Sequence, residues 1–364
     1  MDSGSRGGGD PATPRAGTIR EAVSTLNPGY FALVMASGII SVAMKTKDLP
    51  LLSGLLFAIA GIGWFVLLVL VIWRVLRYRE QFLSDFRDPR RGFGFFTFVA
   101  ATSVVGTRCT MEGWSDPAFV LLTIAVLSWF VLGYVVPWTA VLNPTIRPTL
   151  PGANGTWFVW VVASQSIAVL SAVLQPGEGL GRRELALLAV FSWSVGVILY
   201  GAAAMLVLAR LMLYPLEPKD LIPAYWVSMG ATAITVLAGA RIVQMADAPM
   251  VDATRGLIAG MSVIFWAFGT WLIPILLAAG WWRHVTHRLP LRYDATLWSI
   301  IFPLGMYGVA GHYIGEADHL PIVRGIGEVG SWVAFIAWLA VFVAMVRHLV
   351  RTLLLPAIRR LRRP

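Results

Sequence analysis

The chain has a single cysteine, Cys109, among 364 residues. One thiol excludes an intrachain disulfide and any cysteine-built metal cluster, and reads as a small hydrophobe near a helix end. Charge is scarce as well. Asp, Glu, Lys and Arg make up 13% of the chain, about half of the roughly 25% usual in soluble proteins. The H-E-x-x-H, G-x-S-x-G and Walker signatures of hydrolases and nucleotide-binding enzymes are missing. No enzyme, cofactor or metal site is therefore expected. Residues 1–25, which open MDSGSRGGGDPATPRAG, lack the apolar centre of a cleavable signal peptide and are rich in Gly, Pro and Ser. They are expected to form a disordered tail.

Apolar residues dominate what is present, at 57% of the chain with a mean hydropathy of +0.73. They fall into ten blocks, near 28–44, 49–73, 92–107, 117–142, 154–174, 185–209, 221–240, 256–282, 295–315 and 329–346. A bilayer-crossing helix needs about 17–25 such residues. The expected class is an all-α polytopic membrane protein, with a ten-helix membrane domain over 26–350 and a basic tail over 351–364. With the N-terminus inside, 21 of the 29 Lys and Arg lie in cytoplasmic segments and 8 in outer loops. That bias obeys the positive-inside rule and sets both termini in the cytoplasm of a cell whose plasma membrane holds the protein. The net charge of +10 is thus a topology signal, with anionic lipid rather than nucleic acid as the partner of the C-terminal RRLRRP.

The odd-numbered blocks repeat one another. GYFALVMASGI (29–39), GFFTFVAATSV (94–104), TWFVWVVASQS (156–166), AYWVSMGATAI (224–234) and, more loosely, LWSIIFPLGMY (297–307) each open on aromatics. Their anchors Tyr30, Phe95, Trp157, Tyr225 and Trp298 are 65, 62, 68 and 73 residues apart, one helical hairpin each. Five tandem hairpins are expected, in a quasi-five-fold arrangement around a central pore. Small and polar residues concentrate in the odd blocks and Leu, Val and Ile in the even ones, so the odd helices should form the inner ring. Ser37, Thr102, Ser164 and Thr232, with Gly305, are the expected pore lining. In this register Phe302 stands opposite Val34, Val99, Val161 and Met229, and Pro303 opposite Met35. A ring facing the axis there would close the pore; the alternative is packing between helices.

NPGYFALVMASGIISVA, GTWFVWVVASQSIAVL and WSIIFPLGMY, in that order within ten apolar blocks, resemble the tellurite-resistance/dicarboxylate transporter family. That family includes tellurite-resistance channels, malate carriers, sulfite exporters and plant slow anion channels. The resemblance implies a homotrimer with one pore per protomer and a gate at Phe302, with Pro303 kinking its helix. Of the five odd blocks, only the ninth has a central proline.

The odd blocks carry no carboxylate before their outer ends. This argues against a cation path and against an intramembrane proton relay. Lys45, Arg108, Arg241 and His312 lie 13–16 residues beyond their aromatic anchors, with Ser171 in the remaining repeat. Arg108, Arg241 and His312 are candidates for an outer anion vestibule, against the alternative of snorkelling side chains. His312, Glu316 and Glu328 read either as a pH-sensitive latch or as loop salt bridges. The tryptophans read as an interfacial belt. Small inorganic or organic anions are the expected substrates of a channel or facilitator. A proton-coupled C4-dicarboxylate carrier, or a sulfite or tellurite carrier of the same fold, is the alternative.

Overall fold

Three tripeptides punctuate one end of the helix array: Asp48-Leu49-Pro50, Asp247-Ala248-Pro249 and His319-Leu320-Pro321. In the computed structural model, which describes residues 19–142, 148–175, 181–317 and 319–354, each begins with a left-handed residue, at φ 56°, 52° and 54°. Asp and its polar relatives tolerate that conformation better than most residues. The middle residue is non-helical, as a following proline demands, and the proline opens the next helix at a position where no amide is needed. Gly113, at φ 79°, makes the corresponding turn in the second hairpin.

These turns join short helices to long ones. The hairpins are α2 (Ala32–Lys45) with α3 (Pro50–Arg77), α5 (Phe96–Met111) with α6 (Ser115–Leu142), and α7 (Phe158–Leu174) with α8 (Arg182–Leu213). They continue with α9 (Val227–Ile242) and α10 (Pro249–Trp281), then α11 (Trp298–Ala317) and α12 (Pro321–Leu349). Two short helices complete the set, α1 (Ile19–Ser24) and α4 (Arg79–Arg87). No strand occurs among the described residues. Among the described residues, seven segments are long and apolar enough to cross a membrane: Pro28–Lys45, Pro50–Arg77, Ser115–Thr139, Gly155–Leu174, Arg182–Leu213, Pro249–Thr286 and Pro321–Thr352.

Packing separates the two kinds of helix. The short ones form a closed circuit, α2 on α5, α5 on α7, α7 on α9, α9 on α11 and α11 back on α2. Each long helix packs on the short helix of its own hairpin. Burial follows: 89% of the residues are buried in the most apolar stretch of Gly155–Leu174, but 17% in that of Pro50–Arg77. Leu51, Ile198 and Met205 on the long helices are exposed, as lipid-facing residues would be.

A second circuit closes the N-terminal ends of the short helices. Each is preceded by a tight 3-10 turn, at Pro28–Phe31, Gly92–Phe95, Gly155–Trp157, Pro223–Trp226 and Ala295–Leu297. These turns contact one another in sequence, and the first meets the last. Asn27, Asn154 and Asp294 cap three of them by accepting the backbone N–H two residues on, at 2.7–2.8 Å. The contacts are close enough that a Cβ on Gly155 would collide with the backbone of Ala224 and Tyr225.

At the same end α4 lies against α3 through an ion pair buried on both sides, Arg74 Nη1 to Asp85 Oδ2 at 2.7 Å, with Arg91 on the other carboxylate oxygen at 3.1 Å. Arg74 Nε also donates to the Ser24 carbonyl at 3.1 Å, and Val23 is buried. Part of the stretch expected as a structureless tail is thus the docked helix α1. Residues 1–18 of that tail, and 355–364 of the basic C-terminal tail, lie outside the described residues.

Candidate functional site

All five short helices contribute to one cavity inside their circuit. Its volume is about 30 Å3, room for about two waters. Ile39 and Val42 line it from α2, Ser103 and Thr107 from α5, Ser166 and Val169 from α7, Ile234, Leu237 and Arg241 from α9, and Met306 and Tyr313 from α11. The hydroxyls of Ser103, Thr107 and Ser166 each donate to the carbonyl four residues earlier, at 3.0, 2.9 and 2.6 Å. With their protons turned back onto their own helices, these groups present lone pairs to the cavity.

The hydroxyl row expected to line the pore is elsewhere. Ser37, Thr102 and Ser164 are fully buried and accept indole N–H groups from long helices: Trp338 to Ser37 at 3.0 Å, Trp64 to Thr102 at 2.9 Å and Trp129 to Ser164 at 2.9 Å. Thr232 donates to the Met229 carbonyl at 2.6 Å, and its hydroxyl abuts Gly269 of α10. The correction is one of phase. A helix turns about 100° per residue, so Ser103 reaches the cavity where Thr102 does not, and Ser166 where Ser164 does not.

The indole bonds form a pattern of their own. In each case the tryptophan of one hairpin's long helix reaches the short helix of the next hairpin. Trp193 of α8 continues the series by donating to the Thr235 carbonyl of α9 at 3.1 Å. At α10 the indole N–H of Trp266 is buried with no partner among the described residues; Thr270 and Tyr307 instead share a hydroxyl bond of 2.8 Å between α10 and α11. Trp64, Trp129, Trp193, Trp266 and Trp338 are 65, 64, 73 and 72 residues apart. Four of these five are mid-helix stitches rather than a membrane-surface belt. Their spacing is the signal that could have revealed it.

The basic residues expected at the outer mouth separate into two kinds. Arg108 is fully buried between α2, α3 and α5 and is not among the residues that line this cavity. Its guanidinium donates to Ser41 at 2.8 Å, Ser53 at 3.1 Å and Glu112 at 2.8 Å, and lies 4.8 Å from the Phe57 ring centroid. Glu112 also holds Lys45, at 3.1 Å. Hydrogen bonds from Arg108 first and Lys45 second keep the Glu112 carboxyl below the usual glutamate range. His312 lies 3.6 Å from Glu316 and 3.9 Å from Glu328, which also holds Lys47 and Arg324. Lys45, Lys47, Arg108 and Arg324 thus each have a carboxylate within 4 Å, and His312 lies between two. Ser171 is buried with its hydroxyl unpartnered among the described residues. Arg241 alone of the expected set lines the cavity, its guanidinium carbon 3.8 Å from the Tyr313 ring centroid.

On α11, Phe302 is 1% exposed. A Cβ on Gly230 of α9 would lie 2.8 Å from the Pro303 ring, and one on Gly305 would lie 2.9 Å from Ile39 of α2. Gly305 is therefore a close-contact position between α11 and α2 rather than part of the lining. Repeat alignment set Tyr307 opposite Ile39, yet Met306 lines the cavity and Tyr307 reaches Thr270. The register of α11 thus differs by one residue. Among the described residues no cluster of His, Cys, Asp and Glu is arranged to hold a metal.

Apolar outward faces, buried short helices and a cavity inside their circuit define an all-helical polytopic membrane protein. The sequence matches SLAC1, the voltage-dependent anion channel family, over residues 25–346, and the chain belongs to that family of channels and transporters. The resemblance read from its motifs is thereby borne out. It is 64% identical over 157 residues to an uncharacterized membrane protein of Mycobacterium tuberculosis, covering 43% of this chain and 80% of that protein. An uncharacterized transporter of Methanocaldococcus jannaschii is 24% identical over 330 residues, 87% of this chain and 92% of its own. A sulfite efflux pump of Arthroderma benhamiae is 23% identical over 350 residues, 88% of this chain and 90% of its own.

Proposed function

We propose that the protein is a plasma-membrane anion channel, with ten spans forming five hairpins around a quasi-five-fold axis and Phe302 closing the pathway. The division of faces on α11 carries this reading. Pro303 meets α9 and Gly305 meets α2, while Gly308 and Gly311 meet Ser331 and Gly327 of α12. At about 100° per residue, one face remains, that of Phe302, Met306 and Tyr313, and the last two line the cavity. Phe302 is one turn inward of Met306 and so faces the floor of that cavity. One turn inward on the other short helices are Met35, Val99, Val162 and Gly230, none of them aromatic, with Gly230 packed on the Pro303 ring.

An apolar plug at a narrow point blocks ions by excluding the water that would hydrate them. Pro303 lacks the amide that would bond the Ser299 carbonyl, which frees α11 to bend beside the plug. The lysine and arginine bias supports cytoplasmic termini, and the family resemblance supports a homotrimer with one pathway per protomer. The test is anion conductance in proteoliposomes. Phe302→Ala is expected to raise it at least tenfold, and an unchanged low conductance in folded F302A protein would overturn the gate.

Relatives named as sulfite efflux pumps favour a second reading, a carrier for sulfite, or for tellurite or a C4-dicarboxylate, with the His312–Glu316–Glu328 cluster as its proton-coupling group. Saturating flux that follows an imposed pH gradient would select the carrier, and currents that follow the anion gradient alone would select the channel.

A further inference from the structure

We infer that Arg241, held on Tyr313, is a charge-selecting site for small monovalent anions at the outer end of the cavity. This rests on the reading of the helix circuit as an anion pathway, and goes beyond it by naming the group that selects and the charge class selected.

Compensation is the first observation. Lys45 and Arg108 share Glu112, and Lys47 and His312 share Glu328. Arg241 has no carboxylate within 4 Å among the described residues; its described contact is the Tyr313 ring at 3.8 Å. An aromatic face steadies a guanidinium without neutralising it. The charge therefore projects into a small, mostly apolar space, where its field is screened less than at the protein surface.

The second observation is the state of the other polar groups. Ser103, Thr107 and Ser166 have committed their protons to their own helices, so their lone pairs oppose an entering anion until the hydroxyls rotate. Arg241 is the permanent cation in the described lining, and its donors need no rearrangement to attract an anion. One guanidinium balances one negative charge. A dianion would leave a charge uncompensated in a space of about 30 Å3, and such a charge is strongly disfavoured where water is scarce. Chloride, nitrate or a singly charged oxyanion fits this balance, and sulfate does not.

The experiment uses full-length protein carrying Phe302→Ala, reconstituted in proteoliposomes under a potassium chloride gradient, with reversal potential and sulfate flux as readouts. Adding Arg241→Gln should lower the chloride-to-potassium permeability ratio at least tenfold, and Arg241→Lys should retain most of it. Sulfate flux in the F302A protein should fall at least tenfold below that of chloride. An unchanged permeability ratio in folded R241Q/F302A protein, or equal sulfate and chloride fluxes before R241Q is introduced, would overturn the inference while leaving the pathway intact. Loss of all anion flux in F302A alone would remove the pathway reading and this inference together. Should R241Q fail to fold, Arg241→Cys in a Cys109→Ala background, labelled with cationic or anionic methanethiosulfonate, supplies the same comparison. The cationic label should restore selectivity and the anionic label abolish it, and identical ratios for both would overturn the proposal.

Discussion

The bond between Trp129 and Ser164 separates two accounts of the small polar residues on the short helices. The indole N–H of Trp129 on α6 donates to Ser164 Oγ on α7 at 2.9 Å, and both residues are buried. Ser164→Ala removes the acceptor and strands a buried N–H, at a cost of about 1–3 kcal/mol. Trp129→Phe removes the donor and also leaves a void where the fused ring stood, so the single variant should cost somewhat more, about 2–4 kcal/mol. The double variant loses no further hydrogen bond. Coupling between the two changes should therefore be about 0.6–1.5 kcal/mol, the range for hydrogen bonds between membrane helices. Reversible unfolding in mixed micelles, applied to the full cycle, measures it. If Ser164 instead faced a wet pore, Ser164→Ala would cost almost nothing, the coupling would vanish and anion flux would change. That result would refute the stitched-helix account.

Two further outcomes test the two ends of the frame. Gly155→Ala forces a Cβ into the backbone of Ala224 and Tyr225, which cannot yield as a side-chain tip could. A loss of about 1–3 kcal/mol is expected, read as a lower thermal midpoint in detergent, and wild-type stability would refute the tight circuit of turns. Glu112 is held ionised by Arg108 and Lys45, so its folded pKa lies below the ordinary 4.5. A depressed carboxylate contributes stability above its unfolded pKa and loses it as pH falls through the folded value. Thermal stability should thus decline below about pH 4.5, and Glu112→Gln should be less stable at neutral pH and lack that acid-dependent step.

Much of this molecule is legible from residue order. The ten apolar blocks and the spacing of Tyr30, Phe95, Trp157, Tyr225 and Trp298 marked the hairpins, because a membrane imposes length and apolarity on any helix that crosses it. The turns were legible too, though unread, in Asp48-Leu49-Pro50 and its two relatives, where a left-handed residue and a helix-opening proline follow from local sterics alone. So was the hairpin-length spacing of the five mid-helix tryptophans.

Which face each residue takes was beyond the sequence. Thr102 and Ser103 are adjacent hydroxyls of equal polarity, and only the position of α3 decides that the first meets Trp64 while the second lines the cavity. Arg108 and Arg241 are both arginines in the last turns of short helices. The structure gives the first Glu112, Ser41 and Ser53, and the second a bare tyrosine ring. Composition and period determined class and hairpin order, because those depend on local hydropathy. Tertiary packing decided phase, pairing and which arginine faces the cavity, because each depends on which helix lies across the gap.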